Sequence, residues 1–305
     1  MSDKLPQGSI VALISPMHED GALDREAWLR LLKRHLSAGT CGVVVGGTTG
    51  ESATLNAAER DWMLEAALDT LSGRCSVIAG TGSASTEAAI AQSTRAADLG
   101  ADAVLVVTPF YNRPPQRGLE RHYRAIADTC AAPVILYNVP SRTAVDLDPG
   151  TTIALAGHPN IVAIKEAVAD MERVRTLRAA GVMVYSGDDP SAAQAIEQGA
   201  SGVISVAANV VPEQIAELCR LALAGEFKQA RTLNRSLESL YAFLSVEPNP
   251  IPVKWMLAEI GCIGPGIRLP LVPLASHFHE AGSMLLRTLN ANTSVPESSE
   301  VFNET

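Results

Sequence analysis

The chain has 305 residues, 47% of them apolar, and a formal net charge of −9 from 24 Lys plus Arg against 33 Asp plus Glu. That apolar share is ample for a large buried core and excludes disorder for most of the chain; the acidic balance, without a basic block to neutralise phosphates, argues against nucleic acid or an anionic membrane as partner. No apolar stretch approaches the roughly 18 residues that span a bilayer, and the start, MSDKLPQGS, lacks the apolar run of a signal peptide, so a cytoplasmic protein is expected.

Short apolar, β-branched runs recur at 9–14, 42–45, 76–79, 103–107, 134–137, 161–165, 182–185 and 202–205. They are nearly continuous rather than alternating, as strands covered on both faces should be, which predicts a parallel sheet. Helical segments lie between them. Residues 24–38 place Trp28, Leu31, Leu32 and His35 at helical spacing, and Ser85 or Thr86 can cap an Ala-rich helix ending at Leu99. Gly39 and Gly100 read as helix terminators. Eight strand and helix units over residues 1–225 predict an α/β fold of the (β/α)₈ TIM-barrel type, which needs about 200 to 250 residues. An open doubly wound sheet is the weaker competitor, because no G-x-G-x-x-G fingerprint follows an early strand.

Beyond residue 225 the pattern changes to helices without strands, at 226–244, 253–260 and 271–289, read as a C-terminal helical extension over 226–290. Within it, Glu247-Pro-Asn-Pro-Ile-Pro-Val253 carries three prolines at alternate positions, which predicts an extended connector. The polar, acidic residues 291–305 are expected to be disordered.

In such a barrel the active site lies at the C-terminal ends of the strands. The sixth run is apolar until it closes on Lys165. A free lysine with a pKa near 10.4 is neutral in only about one molecule in 2,500 at pH 7, so a nucleophilic lysine needs desolvation or nearby positive charge. A barrel mouth can supply that, and the alternative is a solvated lysine at a strand end. Glu166 points to the other face by alternation and reads as structural support. The fifth run ends in Tyr137, one strand away, about 4.8 Å. A phenol there can relay protons for a carbonyl substrate, or be a core tyrosine with a satisfied hydroxyl. Gly46-Gly-Thr-Thr-Gly-Glu51 could hold a carboxylate or oxyanion, or be a tight turn before a helix near Asn56; it is not a P-loop. Tyr111, after the fourth run, could enter the same mouth, and Arg142 is suited to bidentate capture of a carboxylate. Asp188 and Asp189 read as a cap for a helix near Pro190, with Gly187 placed where a ligand could touch backbone. The five cysteines, Cys41, Cys75, Cys130, Cys219 and Cys262, are odd in number and widely spaced, which indicates neither a disulfide framework nor a zinc site. His277 and His279 lack an accompanying ligand cluster, so no metal is expected.

Together GTTGES, TPFYNRP, LYNVPSRT, AIKEA, SGDD, GVISV and EPNPIPVKW, in this order, resemble the dihydrodipicolinate synthase family of pyruvate-dependent class I aldolases over about residues 8 to 288. The resemblance implies an enzyme of the diaminopimelate and lysine pathway that condenses pyruvate with L-aspartate-4-semialdehyde and needs no external cofactor. By motif, Lys165 would form the imine with pyruvate, Tyr137 would transfer protons, and Thr48 would link Tyr137 to Tyr111. Thr49 would hold the pyruvate carboxylate, Gly187 and Ile204 would contact the ketoacid, and Arg142 would orient the semialdehyde. Tyr111 would cross from a neighbouring subunit, making an oligomer, typically a tetramer, part of the site. The runner-up is a sibling aldolase acting on sialic acid or a 2-keto-3-deoxy sugar acid, from which Arg142 separates this chain; a non-catalytic ketoacid-binding barrel is remote. Members inhibited by lysine tend to carry His, Asn and Glu where Ala57, Ala84 and Ala88 stand, and a Tyr near Phe110. Weak or absent lysine feedback is therefore expected, with Glu87, one position away, a partial substitute for the glutamate that Ala88 replaces.

Overall fold

The computed structural model describes residues 5–293. Eight parallel strands, β1 (Gly8–Ala12), β2 (Gly42–Val45), β3 (Ser76–Gly80), β4 (Ala103–Val107), β5 (Val134–Asn138), β6 (Ile161–Glu166), β7 (Met183–Ser186) and β8 (Gly202–Ser205), pair in chain order and close into a barrel. The seam joins β8 to β1 with Gly202 opposite Gly8. Glycine is required there: a Cβ on Gly202 would stand 2.0 Å from the Gly8 carbonyl oxygen.

The crossovers are α1 (Arg25–Ser37), α2 (Ala57–Leu71), α3 (Thr86–Leu99), α4 (Gln116–Thr129), the pair α5 (Pro140–Thr143) and α6 (Pro149–Ala156), then α7 (Met171–Ala179), α8 (Ala192–Glu197) and α9 (Pro212–Leu223). Local chemistry sets their ends. Asp24 accepts from the Ala27 N–H to start α1, Asn56 and Glu59 form a reciprocal capping box on α2, and Ser85 caps α3. Gly100, at φ +100°, ends α3 in the left-handed conformation that glycine adopts without strain.

The continuous apolar runs are explained by two cores. Alternate residues such as Ile10, Val44, Ile78, Leu105, Ile135 and Ala163 fill the barrel, while Val11, Val43, Val77, Val104, Leu136 and Ile164 face the helices. At the lower end, the Tyr185 hydroxyl inside the barrel donates to the Pro6 carbonyl at 2.6 Å.

The C-terminal extension departs from expectation in three places. The helix expected over 226–244 is two, α10 (Phe227–Ser236) and α11 (Glu238–Phe243), broken at Leu237. The proline-rich connector is shorter than expected, because Ile251, Pro252 and Val253 form the first turn of α12 (Ile251–Glu259). A first-turn proline is tolerated there since its missing N–H would have no intrahelical partner. Pro270 and Pro273 keep residues before Ser276 out of helix, so α13 (His279–Thr293) starts later than expected and runs past residue 290. Residues 294–305 of the expected tail lie outside the described residues. His279 stacks on Trp255 at 5.1 Å, and Gly282 lets α13 approach so closely that a Cβ would fall 2.2 Å from the Trp255 ring. All five cysteines are free; burial pushes the Cys75 thiol up to about 12. Among the described residues no helix is long and apolar enough to cross a membrane.

Candidate active site

The register of β5 and β6 sets Tyr137 opposite Lys165 and Asn138 opposite Glu166. Strand alternation then turns the first pair into the barrel mouth and the second outward. The Lys165 residue is only 5% exposed, and its Nζ lies 4.4 Å from the centroid of the Tyr137 ring. The lysine shaft runs over Gly187, where a Cβ would stand 2.9 Å from both Lys165 Cε and Ala167 Cβ. Glycine at 187 is thus the space that the lysine occupies.

Behind this pair a polar network fastens the two strands. Asn138 Nδ2 donates to Asp146 Oδ1 (2.7 Å) and Glu166 Oε1 (3.0 Å), and Asn138 Oδ1 accepts from the Leu147 N–H at 2.9 Å. Arg173 grips Asp146 with two bonds of 2.8 Å and holds Nε 3.7 Å from Glu166. Burial pushes the Glu166 carboxyl up to about 7, against the opposing pull of the Arg173 guanidinium and of bonds from Val168 N–H and Asn138. The expected supporting role of Glu166 therefore has a concrete form; Asn138 lies in the LYNVPSRT motif, whereas Asp146 and Arg173 carried no signal in the sequence beyond their polarity.

Two adjoining cavities of about 510 and 300 Å³ open over the barrel, and both are lined by Thr48, Thr49, Tyr137, Val139, Arg142 and Lys165. A third, mostly apolar cavity of about 240 Å³ between α2 and α3 borders the larger one at Gly46, Arg60, Gly80 and Gln92 and is not lined by Lys165. Thr48 and Thr49 sit on the turn-rich loop between β2 and α2, in which Gly50, Glu51 and Ser52 donate backbone bonds to Gly47 or Thr48. Thr49 Oγ1 accepts from Asn249 Nδ2 at 2.9 Å, which leaves its own O–H free to donate to a ligand. Arg142, on α5 directly after β5, is exposed and donates from Nη2 to the Asn249 carbonyl at 3.2 Å. Asn249 thereby touches two expected binding residues; its place in the EPNPIPVKW motif was the available signal.

Not every expected residue joins the cavity. Ile204 is buried inside the barrel below it, and Val206 lines the wall instead. Tyr111 is 94% exposed at φ +72° and lines neither cavity of its own chain. The hydroxyls of Thr48 and Tyr137 bond no other side chain among the described residues, so the expected three-hydroxyl relay is not closed within one chain. The two aspartates divide their work. Neither caps a helix: Asp188 accepts from the N–H and hydroxyl of Ser191 in the turn before α8, which begins only at Ala192, and Asp189 accepts from the Val206 and Ala207 N–H groups and ties β7 to the end of β8. Burial pushes the Asp189 carboxyl upward.

Comparison with known proteins agrees with this fold. The model of the dihydrodipicolinate synthetase family matches residues 5–289. The 4-hydroxy-tetrahydrodipicolinate synthase of Cellvibrio japonicus is 49% identical over 277 residues, covering 90% of this chain and 96% of its own. That of Xylella fastidiosa is 51% identical over 281 residues, covering 91% and 93%. Among solved structures, the chloride-inhibited dihydrodipicolinate synthase from Acinetobacter baumannii, complexed with pyruvate, superposes with a TM-score of 0.92 at 45% identity, covering 94% of this chain and 99% of that one. With its closed eight-stranded barrel, its strand-end lysine and these relatives, the chain belongs to the dihydrodipicolinate synthetase family.

Proposed function

We propose that this chain condenses pyruvate with L-aspartate-4-semialdehyde through an imine on Lys165, the activity of a 4-hydroxy-tetrahydrodipicolinate synthase, a lyase of diaminopimelate and lysine biosynthesis. The name shared by its relatives supports the activity. The placement of a buried lysine amine against a tyrosine, in a cavity rimmed by Thr49 and Arg142, supports the mechanism.

The Lys165 amine attacks C2 of pyruvate and water leaves, giving an imine whose electron withdrawal acidifies the methyl protons. Thr49 O–H holds the pyruvate carboxylate, and the Tyr137 phenol carries protons to and from the reacting carbonyl oxygen. The enamine attacks the aldehyde carbon of the semialdehyde, whose carboxylate Arg142 receives. The semialdehyde's amine then adds to the former C2 of pyruvate and the C–N bond to Lys165 breaks, which restores the free amine. Lysine supplies the electron sink, so the chemistry calls for no further cofactor. Gly187 gives the lysine shaft its room, and Ile204 supports the ketoacid from below.

The exposed Tyr111 fits completion of the relay through Thr48 by a second copy, in a homotetramer acting in the cytoplasm. Borohydride reduction in the presence of pyruvate tests the central step. Intact-mass and peptide analysis should find a pyruvyl adduct on Lys165, absent from Lys165→Ala. No adduct on the wild type would overturn the imine mechanism.

A further inference from the structure

The mouth of the barrel holds a second buried lysine that the reaction above does not use. Lys254, on α12, has a side chain only 4% exposed, and its Nζ is bonded to Oε1 of Glu51, whose side chain is wholly buried. Glu51 closes the turn that carries Thr48 and Thr49, and it does so at φ +54°, a left-handed conformation that a residue with a side chain holds only when its surroundings impose it. Its other carboxylate oxygen accepts from the Arg268 backbone N–H at 3.2 Å. The Arg268 guanidinium is committed elsewhere, to Glu59 and to the Thr54 and Gly21 carbonyls, so Lys254 is the side-chain counter-charge bonded to Glu51.

Burying a lone ion pair is a poor way to gain stability, because desolvation of both charges offsets their attraction and an apolar pair of the same volume serves folding about as well. An ion pair with hydrogen bonds does provide direction, which an apolar contact lacks. Here the direction is spent on a reactive loop: Lys254 fixes Glu51 while Asn249, five residues earlier, fixes Thr49. Neither Glu51 nor Lys254 lines the cavities that contain Lys165.

We infer that Lys254 is a positioning residue for ketoacid binding, which acts through Glu51 to hold the Thr48–Thr49 turn in its pyruvate-binding form. The inference rests on the reading that this turn receives the pyruvate carboxylate.

The test measures the pyruvate concentration that half-saturates borohydride trapping on Lys165, together with steady-state constants for both substrates. Lys254→Met leaves Glu51 buried without a counter-charge and is prone to misfold, so the deciding variant is the neutral pair Glu51→Gln with Lys254→Met, checked for fold by circular dichroism and thermal melting. Expected are a folded protein, at least a tenfold rise in the pyruvate half-saturation and KM, a much smaller loss of kcat, and a KM for the semialdehyde within about twofold of wild type. Lys254→Arg, which keeps the charge, should recover part of the pyruvate affinity. A folded neutral pair that traps pyruvate with wild-type half-saturation would overturn the positioning role. If wild type itself gives no adduct on Lys165, the imine reading falls and this inference falls with it, a pattern the variants alone cannot produce.

Discussion

Lys165 Nζ sits 4.4 Å from the centre of the Tyr137 ring, across one rung of the β5–β6 ladder. The amine packs against the ring face, while the phenol oxygen at the ring edge has no side-chain partner among the described residues. Tyr137→Phe keeps the first feature and removes the second. It should lower kcat by about 10²- to 10⁴-fold while Lys165 stays trappable by pyruvate and borohydride. Loss of trapping in proportion to activity would instead assign Tyr137 to substrate binding.

Gly187 is the floor beneath the lysine shaft, and Gly187→Ala puts a methyl 2.9 Å from Lys165 Cε. The lysine must move, since Ala167 Cβ crowds the same point. Overpacking of this kind costs about 1–3 kcal/mol of stability. A displacement near 1 Å lowers kcat/KM about 100-fold. A wild-type melting temperature and rate in this variant would show that the floor yields.

Arg142 is exposed and held at one edge by the Asn249 carbonyl, leaving most of its donors for a carboxylate. Arg142→Ala should raise the KM for aspartate semialdehyde about 10- to 100-fold, the equivalent of one charge-assisted bond, and leave pyruvate trapping unchanged. Arg142→Lys should recover little, because an ammonium lacks the planar fork. Equal loss of affinity for both substrates would contradict the assignment.

Glu166 couples the strand pair to pH. Its carboxyl titrates near 4.5 when unfolded and is pushed up to about 7 by burial in the folded chain. Between these values the folded state holds the extra proton, so the stability it contributes is complete below about pH 4.5 and is lost as the pH rises through about 7, on the order of 3 kcal/mol in all. Glu166→Gln has nothing to titrate. Its urea midpoint should therefore vary less than that of wild type between about pH 5 and 7, and parallel curves would refute the linkage.

Feedback by lysine should be weak. Ala57 and Ala88 offer no polar side-chain atom, Ala84 contributes only its carbonyl, already bonded to Asn112 Nδ2 at 2.9 Å, and Phe110 has no hydroxyl. Millimolar L-lysine should leave the initial rate within about twofold of its uninhibited value, an expectation that strong inhibition of the purified enzyme would sink.

Residues whose partners are set by strand order were legible in the sequence. Lys165 and Tyr137 end consecutive apolar runs, so a parallel barrel makes them neighbours before any coordinate is known, and Arg142 follows Tyr137 within one short turn. Local capping was legible at Ser85, one of the two candidates the sequence offers for α3. What escaped were contacts with no local trace. Lys254 and Glu51 are 203 positions apart, and Asn249 and Thr49 are 200 apart, so no periodicity links them. The break at Leu237 has no glycine or proline to announce it, and Pro252 disguised a helix start as a connector. Asp188 and Asp189 look interchangeable in sequence, yet packing sends one to the turn before α8 and the other to the end of β8.

The turn bearing Thr48 and Thr49 leaves the ribosome well before the groups that seat it, Asn249, Lys254 and Arg268, which lie 200 positions or more further along the chain. At ~5–20 residues per second, all eight strands precede the final seat by on the order of several seconds. A nascent chain in that interval already displays Lys165 but lacks the finished cradle, and a product of premature termination before Asn249 stays in that state. Such a product lacks all three of the distant contacts that hold the turn, from Asn249, Lys254 and Arg268.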